Sequence, residues 1–291
     1  MISVTNSPIP TMKSLANRDS IALIKIFVIF DDLSMIIFST KSVGRPSTLS
    51  LSEIATISWI KAKYGITSLK ELYRLLKDRY YLDFHLPSYK SFVLSMNNYA
   101  PYLLILINII LAFDRKRQGV IKIIDSTSIP VCHNIRISTH KVMRQLASRS
   151  KSSLGWFYGL KLHLAVDLQN HFLKLKFTTG STDDRKILSE FLEEIKSSII
   201  LADAGYVSQS LENKAAQRGN ILLISPRKNN KKIMTPFEQM LLNLRHRIET
   251  NFSVLKERYH LITSLPRSVK GYLSHYIRTI FAYMFSRLLI S

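Results

Sequence analysis

The sequence predicts an α/β chain in which an all-helical first part precedes a mixed β-sheet with helices on its faces. Three observations predict it. Apolar residues recur at helical spacing in the first part, as in Leu51, Ile54, Ile57 and Ile60. From residue 120 the pattern changes to short β-branched runs and strict alternation, as in Leu160–Leu168 (LKLHLAVDL). Later strands then alternate with helices, the order that produces parallel pairing. At 46% apolar residues the 291-residue chain can fill a core, and its one cysteine, Cys132, excludes a disulfide scaffold and a cysteine-based zinc site.

Taken in order, residues 1–20 are polar and residues 21–39 read as a mostly buried helix, so 1–44 is an N-terminal segment with one helix. Gly44-Arg45-Pro46-Ser47 has the turn chemistry of a linker. A helix over Leu51–Tyr64 takes Ser52 as N-cap and ends at Gly65. A second helix over Ser68–Tyr80 has Ser68 and Glu71 spaced as a capping box. The pair is either a DNA-reading helix-turn-helix or an ordinary helical hairpin. Leu86-Pro87-Ser88 opens a third helix, and Pro101 starts an apolar one running to about Phe113. Residues 45–115 thus form a helical domain, closed by the polar joint Asp114–Gly119.

Residues 116–291 form the second domain. Val120–Ile124 is a strand ending at Asp125, and Leu160–Leu168 and His171–Thr178 form a hairpin about Gln169-Asn170. A helix over 184–197, capped by Thr182 or Asp183, leads to the strand Ser198–Ala202, which ends at Asp203. A short helix closed by Gly219, the strand Ile221–Ile224 and a long helix from Pro236 to about Tyr259 follow. Three antiparallel strands and then βαβα units match, by topology, the ribonuclease H-like (retroviral-integrase-like) fold.

Greasy stretches raise a membrane alternative. Ile21–Phe38 is interrupted by Lys25, Asp31 and Asp32, and Tyr272–Ile290 by His275, Arg278 and Arg287. A charge at the centre of a spanning helix costs roughly 2.5–3.5 kcal/mol on insertion scales. Tyr102–Phe113 is short of the roughly 20 residues a span needs. All three are therefore expected to be helices of a soluble cytoplasmic protein with no membrane partner.

The charge points elsewhere. With 41 Lys and Arg against 20 Asp and Glu, the net charge is +21, the mark of a polyanion-binding protein. Residues 126–161 hold Arg136, Lys141, Arg144, Arg149, Lys151 and Lys161 and no acid. A second cluster, Arg227, Lys228, Lys231 and Lys232, sits in a polar loop. Both are read as phosphate-binding surfaces for DNA. No P-loop or dinucleotide glycine pattern appears, so no nucleotide cofactor is expected, and the histidines show no zinc spacing.

Against this basic background three acids are placed informatively. Asp125 and Asp203 end two strands, and Glu249 lies beside the apolar face of the long helix (Phe237, Leu241, Leu244, Ile248, Phe252, Leu255, Tyr259). Arg245 and Lys256 lie on the Glu249 side. Three carboxylates are the donor set for two Mg²⁺ ions, with Mn²⁺ a substitute, and such a pair serves in-line displacement at phosphorus. Each acid alone has an ordinary alternative: a turn or cap residue for the aspartates, an ion-pair partner of Arg245 for Glu249.

The segments Ile124–Ser128, Tyr158–His163, Leu201–Tyr206 and Arg245–Phe252 continuing to Lys256 resemble the DDE transposases of bacterial insertion sequences, most nearly the insertion-sequence 982 family. The related insertion-sequence 4 families carry Tyr, Arg, Glu and Lys at fixed helical spacing. Arg245, Glu249 and Lys256 fit that signature, and Leu242 stands at the tyrosine position. The resemblance covers roughly residues 119–265 and, less specifically, Gly44-Arg45-Pro46 and Leu86-Pro87-Ser88. It implies a catalytic and metal-binding triad of Asp125, Asp203 and Glu249, with Arg245 and Lys256 on phosphate. It also implies DNA as partner, both terminal inverted repeats and target, and a homodimer acting on the bacterial nucleoid. Water would free a 3′-hydroxyl at the element's end, and that hydroxyl would attack target DNA. A nuclease of the same fold that cuts without joining is one alternative, and a DNA-binding remnant is another. Asp184 is expected to cap its helix or hold structure, His163 to be packed, and Trp156 and Tyr158 to lie in the core, with stacking on an unpaired base as their alternative.

Overall fold

The computed structural model describes residues 23–24, 27–33, 35, 48–153, 155–226 and 234–290, with the side chains of 289 and 290 left aside. The basic loop of Arg227, Lys228, Lys231 and Lys232, the Gly44-Arg45-Pro46 linker, Lys25 and residues 1–20 lie outside them.

After the helical residues 27–33, four helices follow among the described residues: α1 (Leu51–Lys63), α2 (Leu69–Arg79), α3 (Tyr89–Asn98) and α4 (Ala100–Lys116). α1 is capped by Ser50, not Ser52. Ser50 and Glu53 form the reciprocal box, while Ser52 is buried and donates to Asp31 at 3.0 Å. Gly65, with φ +60°, ends α1, and Ser68 accepts from the Glu71 amide to start α2. Eleven of the 13 residues of α1 are buried, so it is a core helix with hardly a solvent face. Of the stretch 21–39, expected to be mostly buried, the described residues 23–24, 27–33 and 35 are not. Phe30 is buried against Phe281 and Phe285, while Ile24, Val28, Ile29 and Met35 stand 40–66% exposed. Among these described residues, Leu23, Phe30 and Leu33 meet the core.

Six strands follow: β1 (Ile121–Cys132), β2 (Ser148–Ser152), β3 (Gly155–Asp167), β4 (Phe172–Thr179), β5 (Ile199–Ala202) and β6 (Ile221–Ile224). The order is β2-β3-β1-β5-β6, with β4 also on β3. β1 is antiparallel to β3 and parallel to β5, which is parallel to β6. Helices α5 (Asp184–Phe191) and α6 (Gln209–Gln217) join the parallel strands. This mixed sheet with its crossover helices is the ribonuclease H-like arrangement.

The remaining helices are α7 (Pro236–Asn243), α8 (His246–Ser253), which continues into a π-turn at Val254–Arg258, and α9 (Val269–Ile290). The expected single helix over 236–259 is therefore broken at Leu244-Arg245. There the amides of Leu244, Arg245, Arg247 and Ile248 each bond three residues back, a tighter winding than the α-helix. Phe237, expected on the buried face, is 61% exposed, while Leu241, Ile248, Phe252, Leu255 and Tyr259 are buried.

Two cores flank the sheet. The larger joins Ile123, Leu201 and Ile248 to residues of α1–α4 and α9, so the helical first part and the sheet share one apolar interior. The smaller joins Ile124, Ile200 and Ala202 to α5 and α6. α3 and α4 follow each other so closely that Tyr89–Lys116 is long and apolar enough by length and composition to cross a bilayer, although Tyr102–Phe113 alone is not. One side of α4 is buried with Leu103, Leu106, Ile107, Ile110 and Leu111, packed against α9 and β4, while Tyr102, Ile105, Ile109 and Phe113 face outward.

Candidate active site

Register places the two aspartates. Ile121, Lys122 and Ile123 pair with Ile199, Ile200 and Leu201. Two residues further on, at the carboxyl end of this parallel pair, Asp125 stands level with Asp203. Alternation sets the face. Ile123 and Leu201 point into the larger core, so Asp125 and Asp203 point to the same side, where α8 packs through Ile248. Glu249 is the next residue on α8.

Asp125 does not end its strand. β1 continues to Cys132 because Asp125–Ile129 keep pairing with Leu164–Leu160 of β3. What ends at this level is the parallel pairing with β5. Asp203 leaves β5 with extended backbone and opens a short turn at Ala204–Tyr206.

The three carboxylates meet at a cation. Arg245 Nη1 lies 3.4 Å from Asp125 Oδ2, and Nη2 lies 3.2 Å from Asp203 Oδ1 and 3.8 Å from Glu249 Oε1. The sequence placed Arg245 beside this group, and the structure puts it at the centre. The break at Leu244-Arg245 positions it there, one helical turn before Glu249. Asp203 and Glu249 are half or more exposed, so their pairs are screened and worth at most about 1 kcal/mol each. Asp125 is inside. Burial raises its pKa to about 6; the Ser126 amide and Arg245 oppose the rise, and Asp203 and Glu249 add to it. Its Oδ1 accepts the Ser126 amide at 2.8 Å.

Among the described residues, no group of three or more His, Cys, Asp or Glu side chains is arranged as a ready-made metal cage. The carboxylates instead each turn to Arg245. Their chemistry still fits a hard divalent ion: three oxygen donors converge on one cation, and one of them is partly buried. Arg245 must move away for an ion to take its place.

The other expected residues separate. Arg136, Lys141, Arg144, Arg149 and Lys151 are exposed. Lys161 is not free for phosphate, because it donates to Asp184 Oδ1 at 3.0 Å and to the Thr182 carbonyl. Asp183 caps α5, and Asp184 serves as the counter-ion of Lys161. His163 is packed, bonded to Thr178 at 2.8 Å, and burial lowers its pKa to about 4. Tyr158 is in the core, but Trp156 is 53% exposed with Arg149 4.8 Å over its ring. Lys256 lies half-buried in the π-turn, apart from the ion pairs around Arg245. Leu242, at the position of the signature tyrosine, packs partly buried against the larger core.

A family model described as a transposase DDE domain matches residues 115–269, just over half of the chain. No curated protein matches the sequence. Among solved structures, the chain aligns with a Mos1 transposase paired-end complex with the left transposon end, at 11% identity and a TM-score of 0.25, over 98% of this chain and 89% of that one. It also aligns with a pre-cleavage Mos1 transpososome, at 12% identity and a TM-score of 0.22, over 86% of this chain and 81% of that one. The extent of the family match, on a ribonuclease H-like sheet, identifies the chain as a member of the DDE transposase domain family.

Proposed function

We propose that the protein is an insertion-sequence transposase, most nearly of the insertion-sequence 982 type, that binds the terminal inverted repeats of its element, cleaves there and transfers the freed strand to target DNA. The observation that carries this is the convergence of Asp125, Asp203 and Glu249 on Arg245 at the carboxyl end of the β1–β5 pair. These three side chains would hold two Mg²⁺ ions, or Mn²⁺ in their place. When bound, such ions activate an attacking oxygen and stabilise a leaving one at phosphorus.

The chain's own groups do the rest. Arg245, released from the acids, would reach a DNA phosphate beside the break, with Lys256 as a second cation. In the first displacement the water oxygen bonds to phosphorus as the bond to the 3′-oxygen breaks, and that oxygen takes up a proton. In the second, the freed 3′-oxygen bonds to a target phosphorus as the bond from that phosphorus to the target's own 3′-oxygen breaks, and the leaving oxygen takes up a proton as the attacking hydroxyl loses one. Arg136, Lys141, Arg144, Arg149 and Lys151 would hold the DNA backbone. The outer face of α2, with Arg74, Lys77 and Arg79 exposed, supports DNA binding by the helical part, residues 45–115. Two element ends must be joined, so a homodimer is the working unit, acting on DNA in a bacterial cytoplasm.

Glu249→Gln tests the assignment. Glu249 is 61% exposed, so its replacement should leave the melting temperature unchanged. Mg²⁺-dependent cleavage of a terminal-repeat duplex should fall by about 10²-fold or more, the scale of losing one preorganised charge stabiliser. Full cleavage by the variant would remove Glu249 from the site.

A further inference from the structure

Two helix N-termini meet at a cavity that none of the three acids lines. A cavity of about 380 Å³ lies between the start of α2 (Thr67–Lys70), the loop leading into α9 (Thr263–Ser268) and the body of α9. Ser68 caps α2 and accepts the Glu71 amide, which leaves the first-turn amides of Leu69 and Lys70 with no helical acceptor. Ser268 caps α9 by accepting the Gly271 amide at 3.1 Å. Each helix start carries a partial positive charge.

The side chains add to it. Lys61, Lys70, Arg267 and Arg278 line the cavity, and no Asp or Glu does. Lys70 and Arg267 stand exposed at the mouth. Lys61 and Arg278 are deep, 6% and 4% exposed. Lys61 donates to the Ile66 carbonyl and Arg278 Nη1 to the Met96 carbonyl, but Arg278 Nε has no partner. Among the described residues no ion pair involves any of the four cations. Two buried like charges without a counter-ion are unfavourable unless an anion accompanies them. Lys61 shows the strain: burial, and then Arg278, lower its pKa to about 8, with only Glu71 pulling the other way.

We infer that this cavity is a binding site for a phosphoryl group, held by the α2 and α9 N-termini together with Lys61, Lys70, Arg267 and Arg278. Helix starts and guanidinium groups are the standard partners of phosphate oxygens. The phosphoryl group is either free phosphate or a phosphodiester of bound DNA. The inference does not rest on the proposed catalytic triad, because none of the triad residues lines the cavity.

The test uses the full chain at constant ionic strength. Inorganic phosphate, titrated in a calorimeter, should bind saturably and raise the melting temperature. The double variant K70A/R267A, changed only at the exposed mouth, should weaken phosphate at least tenfold and keep the phosphate-free melting temperature. Arg278→Met should abolish phosphate binding without lowering that temperature, since it removes a buried uncompensated charge. Glu249→Gln should bind phosphate like the unaltered protein. If the phosphodiester is the ligand, phosphate will compete with a short DNA duplex and K70A/R267A will lose at least tenfold in duplex affinity. If free phosphate is the ligand, duplex affinity will not change. Absence of phosphate binding together with unchanged duplex affinity in K70A/R267A overturns the inference, as does phosphate binding that neither variant weakens.

Discussion

His275 is one side chain with a measurable signature. It is buried in α9, donating from Nε2 toward the carbonyls of His260 and Leu261, and burial lowers its pKa to about 3. The unfolded chain binds this proton near pH 6.5, so stability is fully present above that and is lost as pH falls toward 3. Each pH unit removes at most about 1.4 kcal/mol through this group. Asp125, with its raised pKa, acts in the opposite direction between about pH 6 and 4. The comparison that isolates the histidine is with His275→Gln, which keeps a donor but does not titrate. In phosphate-free buffer the stability of the unaltered protein relative to the variant should fall steadily from about pH 6.5 to pH 4 in urea titrations. A constant difference would mean that His275 is not held neutral. Arg245 shows what one residue can hide. Its spacing from Glu249 was legible in the sequence, but its place between three acids needed the β1–β5 register and the break in the helix, which no linear pattern encodes.

At the scale of elements, β1 depends on a close approach. A Cβ on Gly159 of β3 would lie 2.1 Å from the Ile129 carbonyl oxygen and 2.9 Å from Pro130 Cα, both backbone of β1. Gly159→Ala must therefore push the strand that carries Asp125. A loss of about 1–3 kcal/mol is expected, the usual cost of overpacking, read as a lower urea midpoint. An unchanged midpoint would show that the strands can part without cost. The same strands show what the sequence displays and what it conceals. β3 and β4 alternate openly, with Asn170 at φ +63° in their turn, and were readable. β2 was not, because Ser148–Ser152 is SRSKS, an edge strand without an apolar residue to mark its inner face. α1 started at the wrong serine for a similar reason. Ser50 and Ser52 are chemically equal caps, and only the packing of Ser52 against Asp31 separates them.

For the whole molecule, the net charge of +21 makes salt the revealing variable. Five exposed cations, Arg136, Lys141, Arg144, Arg149 and Lys151, lie in a segment without acids. If all five meet phosphates, the logarithm of DNA affinity falls against the logarithm of salt with a slope of about −4.5. Replacing Arg144 and Lys151 by alanine should flatten that slope by nearly two, measured by fluorescence anisotropy with a terminal-repeat duplex. An unchanged slope would move the DNA to another face. The bulk charge was plain in the sequence, yet Arg278 read as a mere interruption of a greasy stretch until α2 and α9 were seen to meet. α9 also governs when this protein can exist as a folded body. It covers α1 and α4, and Trp59 of α1 donates to Ser286, 227 residues later in the chain. A chain made from its N-terminus must carry α1 with its apolar surface uncovered until α9 has been synthesised, and contacts of such long range are slow to form. Synthesis and maturation are thereby tied together: a nascent chain stopped before α9 would leave the apolar faces of α1 and α4 open to water.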